Sequence, residues 1–177
     1  MRREQLEHLL RAASTVVGQR DILVIGSQAI LGAIDDEHLP PEATTSIEAD
    51  LAFFEDPADM KADQVDGAIG ELSTFHEMYG YYAQGVSVST AVLPSGWRER
   101  LISLETPNTE PGRGLCLEPH DCVVSKLVAG RWKDHDFARA LLRERLVDAE
   151  TLIRRIDLLS VTAEQKASLR AWVGKHR

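Results

Sequence analysis

Residues 21–54 constrain this chain more than any other stretch. Ile22-Leu23-Val24-Ile25 is an unbroken apolar run, three of its four residues β-branched, and Gly26-Ser27 follows at once. Such a run bounded by a turn signal predicts a buried strand. Gln28–Ile34 then suits a short helix. After an acidic, proline-bearing loop over 35–46 the chain resumes as Ile47-Glu48-Ala49-Asp50-Leu51-Ala52-Phe53-Phe54, a second strand. A strand alternates its faces, so Glu48 and Asp50 point the same way while Ile47, Ala49 and Leu51 point into the core. Two carboxylates held side by side repel unless a cation sits between them. Mg²⁺ binds through one or two carboxylates completed by substrate phosphates. A Gly-Ser turn opening a helix offers free N–H groups and the positive dipole end to an anion such as phosphate. The loop 35–46 either covers such a site or is a surface connection.

An apolar strand, Gly-Ser, a helix and an acidic-x-acidic strand form an order that resembles the nucleotidyltransferase (polymerase-β-like) superfamily. Gly26, Ser27, Glu48 and Asp50 stand on its positions, with Glu48 where Asp is more usual. VIGSQAILG, EADL, GYYAQGV, LPSGW, LEPHDCVVSKLVAGRWKD and FARALL together resemble an uncharacterised bacterial nucleotidyltransferase-like family, distantly similar to AbiEii-like type IV toxins. The resemblance implies Mg²⁺ (or Mn²⁺) held by Glu48 and Asp50. It further implies phosphates on Gly26 and Ser27, an NTP as substrate, and an acceptor hydroxyl, with tRNA as one candidate in a toxin-like role. Many members carry a third carboxylate on a following strand. Here Val86–Val92 has only hydroxyls, and Glu105 is the nearest acidic residue on the next strand.

The second informative stretch is 118–137. Pro119 suits the first position of a helix and Asp121 its first turn. An apolar face of Val123, Val124, Leu127 and Val128 leaves Lys126 and Lys133, seven residues apart, on one side. A lysine there meets triphosphate oxygens as a point charge. AbiEii-like proteins pair such a Lys with a downstream basic-Asp dipeptide, which the resemblance places at Lys126 and Lys133-Asp134, with Asp136 as the other choice. In that scheme Asp134 orients or activates the acceptor. The alternative is a solvated lysine and a helix-capping Asp.

Elsewhere, Leu6, Leu9, Leu10, Ala13, Val16 and Val17 fall at helical spacing over 3–17, and Gly18 ends that helix. Pro57-Ala58 opens a helix to about residue 70, with Met60, Val65, Ala68 and Ile69 apolar. Residues 73–82 are aromatic-dense, either packing as core or lining a base or ribose pocket. Strands are expected at 86–92, 101–105 and 114–117, the first two separated by a turn anchored on Trp97. Three helices complete the chain, one capped by Asp148 and the last opened by a Thr162–Gln165 capping box.

Charge divides unevenly. Residues 1–118 carry a net −12 and residues 119–177 a net +4. A negative metal-binding half beside a positive helical half suits a phosphate-facing surface, although Arg139, Arg143, Arg154 and Arg155 also fit ordinary solvated positions. No 18-residue apolar run or secretory leader is present, and Cys116 and Cys122 read as reduced thiols, so a cytoplasmic protein is expected. His-x₃-His, Cys-x₂-Cys, Gly-x-Ser-x-Gly and Walker-type motifs are absent.

The expected fold is α+β, a small mixed sheet packed on helices with a C-terminal helical segment. Residues 1–118 form the core and 119–177 a helical segment packed on it, together one compact domain. Two functions compete. One is nucleotidyl transfer by Glu48, Asp50, Lys126 and Asp134. The other is a catalytically inactive module that binds nucleotide or a partner protein, a cognate antitoxin among them.

Overall fold

The computed structural model describes residues 1–177 and has an α+β fold. Helix α1, Arg3–Val17, buries Leu6, Leu9, Leu10 and Ala13, and Gly18 closes it. Val16, expected inside, is exposed. Five strands follow: β1 Asp21–Val24, β2 Glu48–Ala52, β3 Tyr82–Gly85, β4 Ile102–Leu104 and β5 Arg113–Cys116. They form one mixed sheet in the order β3-β2-β1-β5-β4. The most apolar run therefore occupies the centre, where both faces are covered. β1 runs antiparallel to β2 and parallel to β5. β2 and β3 are parallel, which sets Glu48 beside Tyr82 and Asp50 beside Gln84.

One face of the sheet, bearing Ala49, Leu51 and Ala83, is covered by α1 and by α3, Met60–Ile69. Contact there is close: a β-carbon on Gly85 would lie 2.0 Å from the Ala62 carbonyl oxygen, and one on Gly114 would meet Leu10. Helices α2 (Pro41–Thr44) and α4 (Thr74–Tyr79) are short. The C-terminal helices are α5 Pro119–Ala129, α6 Trp132–Arg143, α7 Ala149–Asp157 and α8 Ala163–His176. Buried side chains from both the sheet half and these helices join in one continuous apolar cluster.

The short helix expected after Gly26 forms as a six-residue 3-10 helix, Ser27–Gly32. Several expectations are corrected. Ile47 is 49% exposed, because it precedes the paired part of β2. The α3 stripe is Ala62, Val65 and Ile69, with Met60 and Ala68 in solvent. α3 starts at Met60, after a 3-10 turn at Pro57–Asp59, and the Asp56 carboxylate fixes that start by accepting the Lys61 and Ala62 backbone N–H groups at 2.7 and 3.0 Å. The strand expected at 86–92 lies four residues earlier. Although Val86–Val92 has strand composition, Ser87 accepts from the Ser89 backbone N–H and the Thr90 hydroxyl donates to the Ser87 carbonyl, closing a 3-10 turn. Local hydroxyl hydrogen bonds here outweigh β-propensity.

The aromatic stretch follows the packing alternative, with Tyr81 in the core and Phe75 against it. Phe75, Tyr79 and Tyr81 gather around His8 of α1, whose Nδ1 lies 2.7 Å from the Tyr81 hydroxyl. Tyr82 turns to the opposite face. Pro119 begins α5 as expected, with Glu118 accepting the His120 and Asp121 backbone N–H groups. Asp148 and the Thr162–Gln165 box cap α7 and α8.

An ion triad centred on buried Asp121 ties the helical segment together. Asp121 of α5 has no exposed surface; one oxygen accepts from Arg100 at 2.7 Å and the other faces Arg155 of α7 at 3.0 Å. Breaking a buried pair from one side strands the remaining charge and costs roughly 3–5 kcal/mol. Asp121→Ala should lower unfolding free energy by that order in urea titration, whereas Asp157→Ala, in an exposed pair with Arg170, should cost less than about 1 kcal/mol.

Candidate functional site

A cleft of about 650 Å³ opens on the sheet face opposite α1 and α3. Gly26, Ser27, Glu48, Asp50, Lys126 and Asp134 all line it. Elements far apart in sequence thus converge. β1 delivers Gly26, β2 the carboxylates, α5 Lys126, and the first turn of α6 Asp134.

Gly26 is required by a close approach. Its backbone is extended, at φ −79° and ψ −170°. A β-carbon would stand 1.8 Å from the Asp50 Oδ2 and 3.0 Å from its Cβ, so the Asp50 carboxyl lies directly over the glycine. The pairing of β1 with β2 creates this contact, with the Ile25 N–H donating to the Asp50 carbonyl at 3.1 Å. Ser27 begins the 3-10 helix. Six residues in that form sum to little dipole, so attraction for an anion rests on side-chain cations instead. Gln28, buried, donates to the Ser27 hydroxyl at 3.3 Å and to the Ala43 carbonyl at 3.2 Å, bracing the turn against α2.

Glu48 and Asp50 share the cleft face. The Tyr82 hydroxyl donates to Glu48 Oε2 at 2.8 Å, and burial together with that carboxylate pushes Tyr82 up to about 12. Burial is also the main reason Asp50 rises to about 6; Glu48 adds to the rise and Lys126 opposes it. Gln84 occupies the neighbouring position of β3, lining the cleft beside Asp50. Its side chain is a neutral amide, so β3 adds no carboxylate to Glu48 and Asp50 at this position. Glu105 lies elsewhere, on the surface with Arg20.

The cations come from the turn between α5 and α6. Gly130, at φ 68°, ends α5 in a left-handed conformation that β-carbon-bearing residues adopt at a cost. Lys126 and Lys133 consequently sit on two helices rather than on one side of one helix, yet both line the cleft. Lys126 Nζ lies 3.9 Å from Asp134 Oδ1. Asp134 is 2% exposed, accepts from Arg131 Nε at 2.8 Å and from the Arg131 backbone N–H at 3.2 Å, and so anchors both cations. The Arg131 guanidinium is held above its ordinary range, first by Asp134 and then by Asp50 and Glu48. Asp136 is bound to Arg139 at 2.6 Å on the exposed side of α6.

The donor set suits a hard divalent ion. Two carboxylates with a shared face and mutual repulsion are what a magnesium ion needs from protein when phosphate oxygens complete its shell. No cluster of three or more His, Cys, Asp or Glu capable of holding a metal occurs in the chain, so such a site depends on ligands from the substrate. Cys122, whose Sγ–H points at the Gly26 carbonyl at 3.5 Å, is pushed up to about 12 by burial, as is Cys116.

Sequence reasoning missed Arg131, Gln84 and the Tyr82–Glu48 bond. Arg131 was legible as a basic residue one position from the Gly130 helix stop. The other two depended on placing β3 correctly.

Residues 4–175 match the model of a family described as "Nucleotidyltransferase of unknown function (DUF6036)". No curated protein and no solved structure gives a significant match.

Asp50 reports on the electrostatics of the cleft. In metal-free protein followed by carboxyl NMR, Glu48→Gln should lower its pKa from about 6 and Lys126→Met should raise it. A folded-state value above the unfolded one, about 4, means the native protein binds the extra proton between the two. Stability from this group is therefore full below about pH 4 and is lost as pH rises through about 6. Asp50→Asn should remove that slope and raise unfolding free energy at pH 8 by on the order of 1–2 kcal/mol after allowance for solvent screening.

Proposed function

This chain belongs to the DUF6036 nucleotidyltransferase family, and on that premise we propose that its cleft binds a nucleoside triphosphate with Mg²⁺ or Mn²⁺ and transfers the nucleotidyl group to a hydroxyl. One observation supports this above the rest: Glu48, Asp50, Lys126 and Arg131 converge on one cleft beside the Gly26-Ser27 turn. In the reaction the acceptor oxygen forms a bond to the α-phosphorus as the bond to the pyrophosphate oxygen breaks. Such transfers depend mainly on positioning and on neutralising phosphate charge.

Glu48 and Asp50 would hold the metal, which supplies charge neutralisation at the reacting phosphate. Tyr82 orients Glu48 through its hydroxyl, and Gly26 gives the Asp50 carboxyl its room. Ser27 and the adjoining backbone face the phosphates. Lys126 meets the triphosphate as a point charge. Asp134 serves as a positioning residue: its oxygens are bound to Arg131 and lie near Lys126, which aims both cations inward. The acceptor reading rests on the likeness of Lys126 and Lys133-Asp134 to AbiEii-like toxins, which supports a tRNA or other RNA hydroxyl and a cognate antitoxin. Arg139 and Arg143 are already paired with Asp136, Glu144 and Glu42. Lys133, exposed on the cleft wall, has no such partner.

Gln84 favours a second reading, in which the same cleft binds nucleotide without turnover. The neutral amide beside Asp50 leaves two carboxylates, enough for one metal ion and short of a pair.

Two measurements test these readings. Mg²⁺ with NTP should raise the melting temperature of the wild type by mass action, and Asp50→Ala should abolish the rise while remaining folded. Labelled nucleotide from each of the four NTPs should be transferred to total RNA by the wild type. Lys126→Ala should lower turnover more than nucleotide affinity, because that contact strengthens as charge develops. A thermal shift without any labelling across metals and NTPs would establish the binding module instead.

A further inference from the structure

Trp132 is the most exposed aromatic side chain in the protein, at 78%. It lines the cleft at the first residue of α6, with Arg131 before it and Lys133 after it, both also lining the cleft. The other two tryptophans are partnered: Trp97 stacks on Phe54 with centroids 6.0 Å apart, and Trp172 on His176 at 4.2 Å. No ring lies against Trp132. A solvated indole contributes little to folding, so its position at the cleft wall calls for a ligand with a flat face. The cations on either side call for an anion on the same ligand. Nucleotides combine the two, a π surface joined to phosphates, and base–aromatic stacking beside Lys or Arg is a recurrent means of holding them. A cleft of about 650 Å³ has room for a nucleotide of this size.

We propose that Trp132 is the stacking platform for the nucleobase of the nucleotide bound in the cleft, with Lys133 and Arg131 flanking its phosphates. This rests on the nucleotide-binding reading and adds to it the residue that recognises the base. Stacking uses a feature common to all bases, so the platform accepts any of the four and favours the larger purine face.

The ligands for the test are ATP and inorganic tripolyphosphate, each with Mg²⁺, titrated against tryptophan fluorescence and by calorimetry. ATP should quench the emission of the wild type, and tripolyphosphate should bind without doing so. Trp132→Leu, an exposed substitution that leaves the melting temperature unchanged, should lose the quench and bind ATP about tenfold more weakly. Its affinity for tripolyphosphate should match the wild type, and Trp132→Phe should recover most of the ATP affinity. Wild-type ATP affinity in Trp132→Leu would overturn the platform, as would an equal loss for both ligands, since neither outcome depends on the base. Lys126→Ala separates the two levels. If it weakens both ligands while Trp132→Leu changes nothing, the cleft reading stands and the platform falls. If the wild type binds neither ligand, both fall together.

Discussion

The Asp50 carboxyl rests on the α-carbon of Gly26, and the site is built around that contact. It exists because β1 and β2 run antiparallel, with Val24 opposite Leu51, so that Gly26, two residues past the end of β1, lies under an acidic residue of β2. Any β-carbon at position 26 would occupy the carboxylate's space. The glycine therefore acts here by its lack of a side chain. Once Asp50 is placed, Glu48 is placed as well, since two residues along a strand return to the same face. β3 then supplies Tyr82 and Gln84 as neighbours in register.

Charge is the second constraint. Glu48 and Asp50 are crowded enough that burial and mutual repulsion push Asp50 upward, against the pull of Lys126. The protein tolerates this unfavourable arrangement while holding its cations at hand. Asp134 carries the opposing cost: a nearly buried carboxylate made acceptable by Arg131 and Lys126. The cleft thus contains an acidic patch facing a basic wall.

The helical half holds that wall in place. Asp121 binds Arg100 from the loop before β4 and Arg155 from α7, and His120 links the caps of α5 and α7 through Glu118 and Asp148. α5 is therefore clamped at its N-terminus, while Lys126 lies one turn from its C-terminus. Gly130 breaks the helix, and α6 begins at a new angle that brings residues 131–134 over the carboxylates.

Local rules were sufficient for much of the chain. Apolar periodicity specified α1, the unbroken run Ile22–Ile25 specified a buried strand, and period-2 geometry put Glu48 and Asp50 on one face. Pro119, Asp148 and Thr162 marked helix starts because caps and turn residues satisfy backbone groups only a few positions away. Where two local preferences competed, the sequence misled. The β-branched 86–92 segment closed on its own hydroxyls, and the paired strand formed at 82–85, where β2 offered a partner. That displacement hid Gln84 and the Tyr82–Glu48 bond, since a neighbour in a parallel sheet is a matter of register and not of spacing. The need for Gly26 to clear Asp50, the anchoring of Arg131 and Lys126 on Asp134, and the exposure of Trp132 beside that cleft were likewise decided by tertiary structure alone. Each involves groups that meet only after β1, β2, α5 and α6 have packed, and nothing in their order along the chain sets the distances between them.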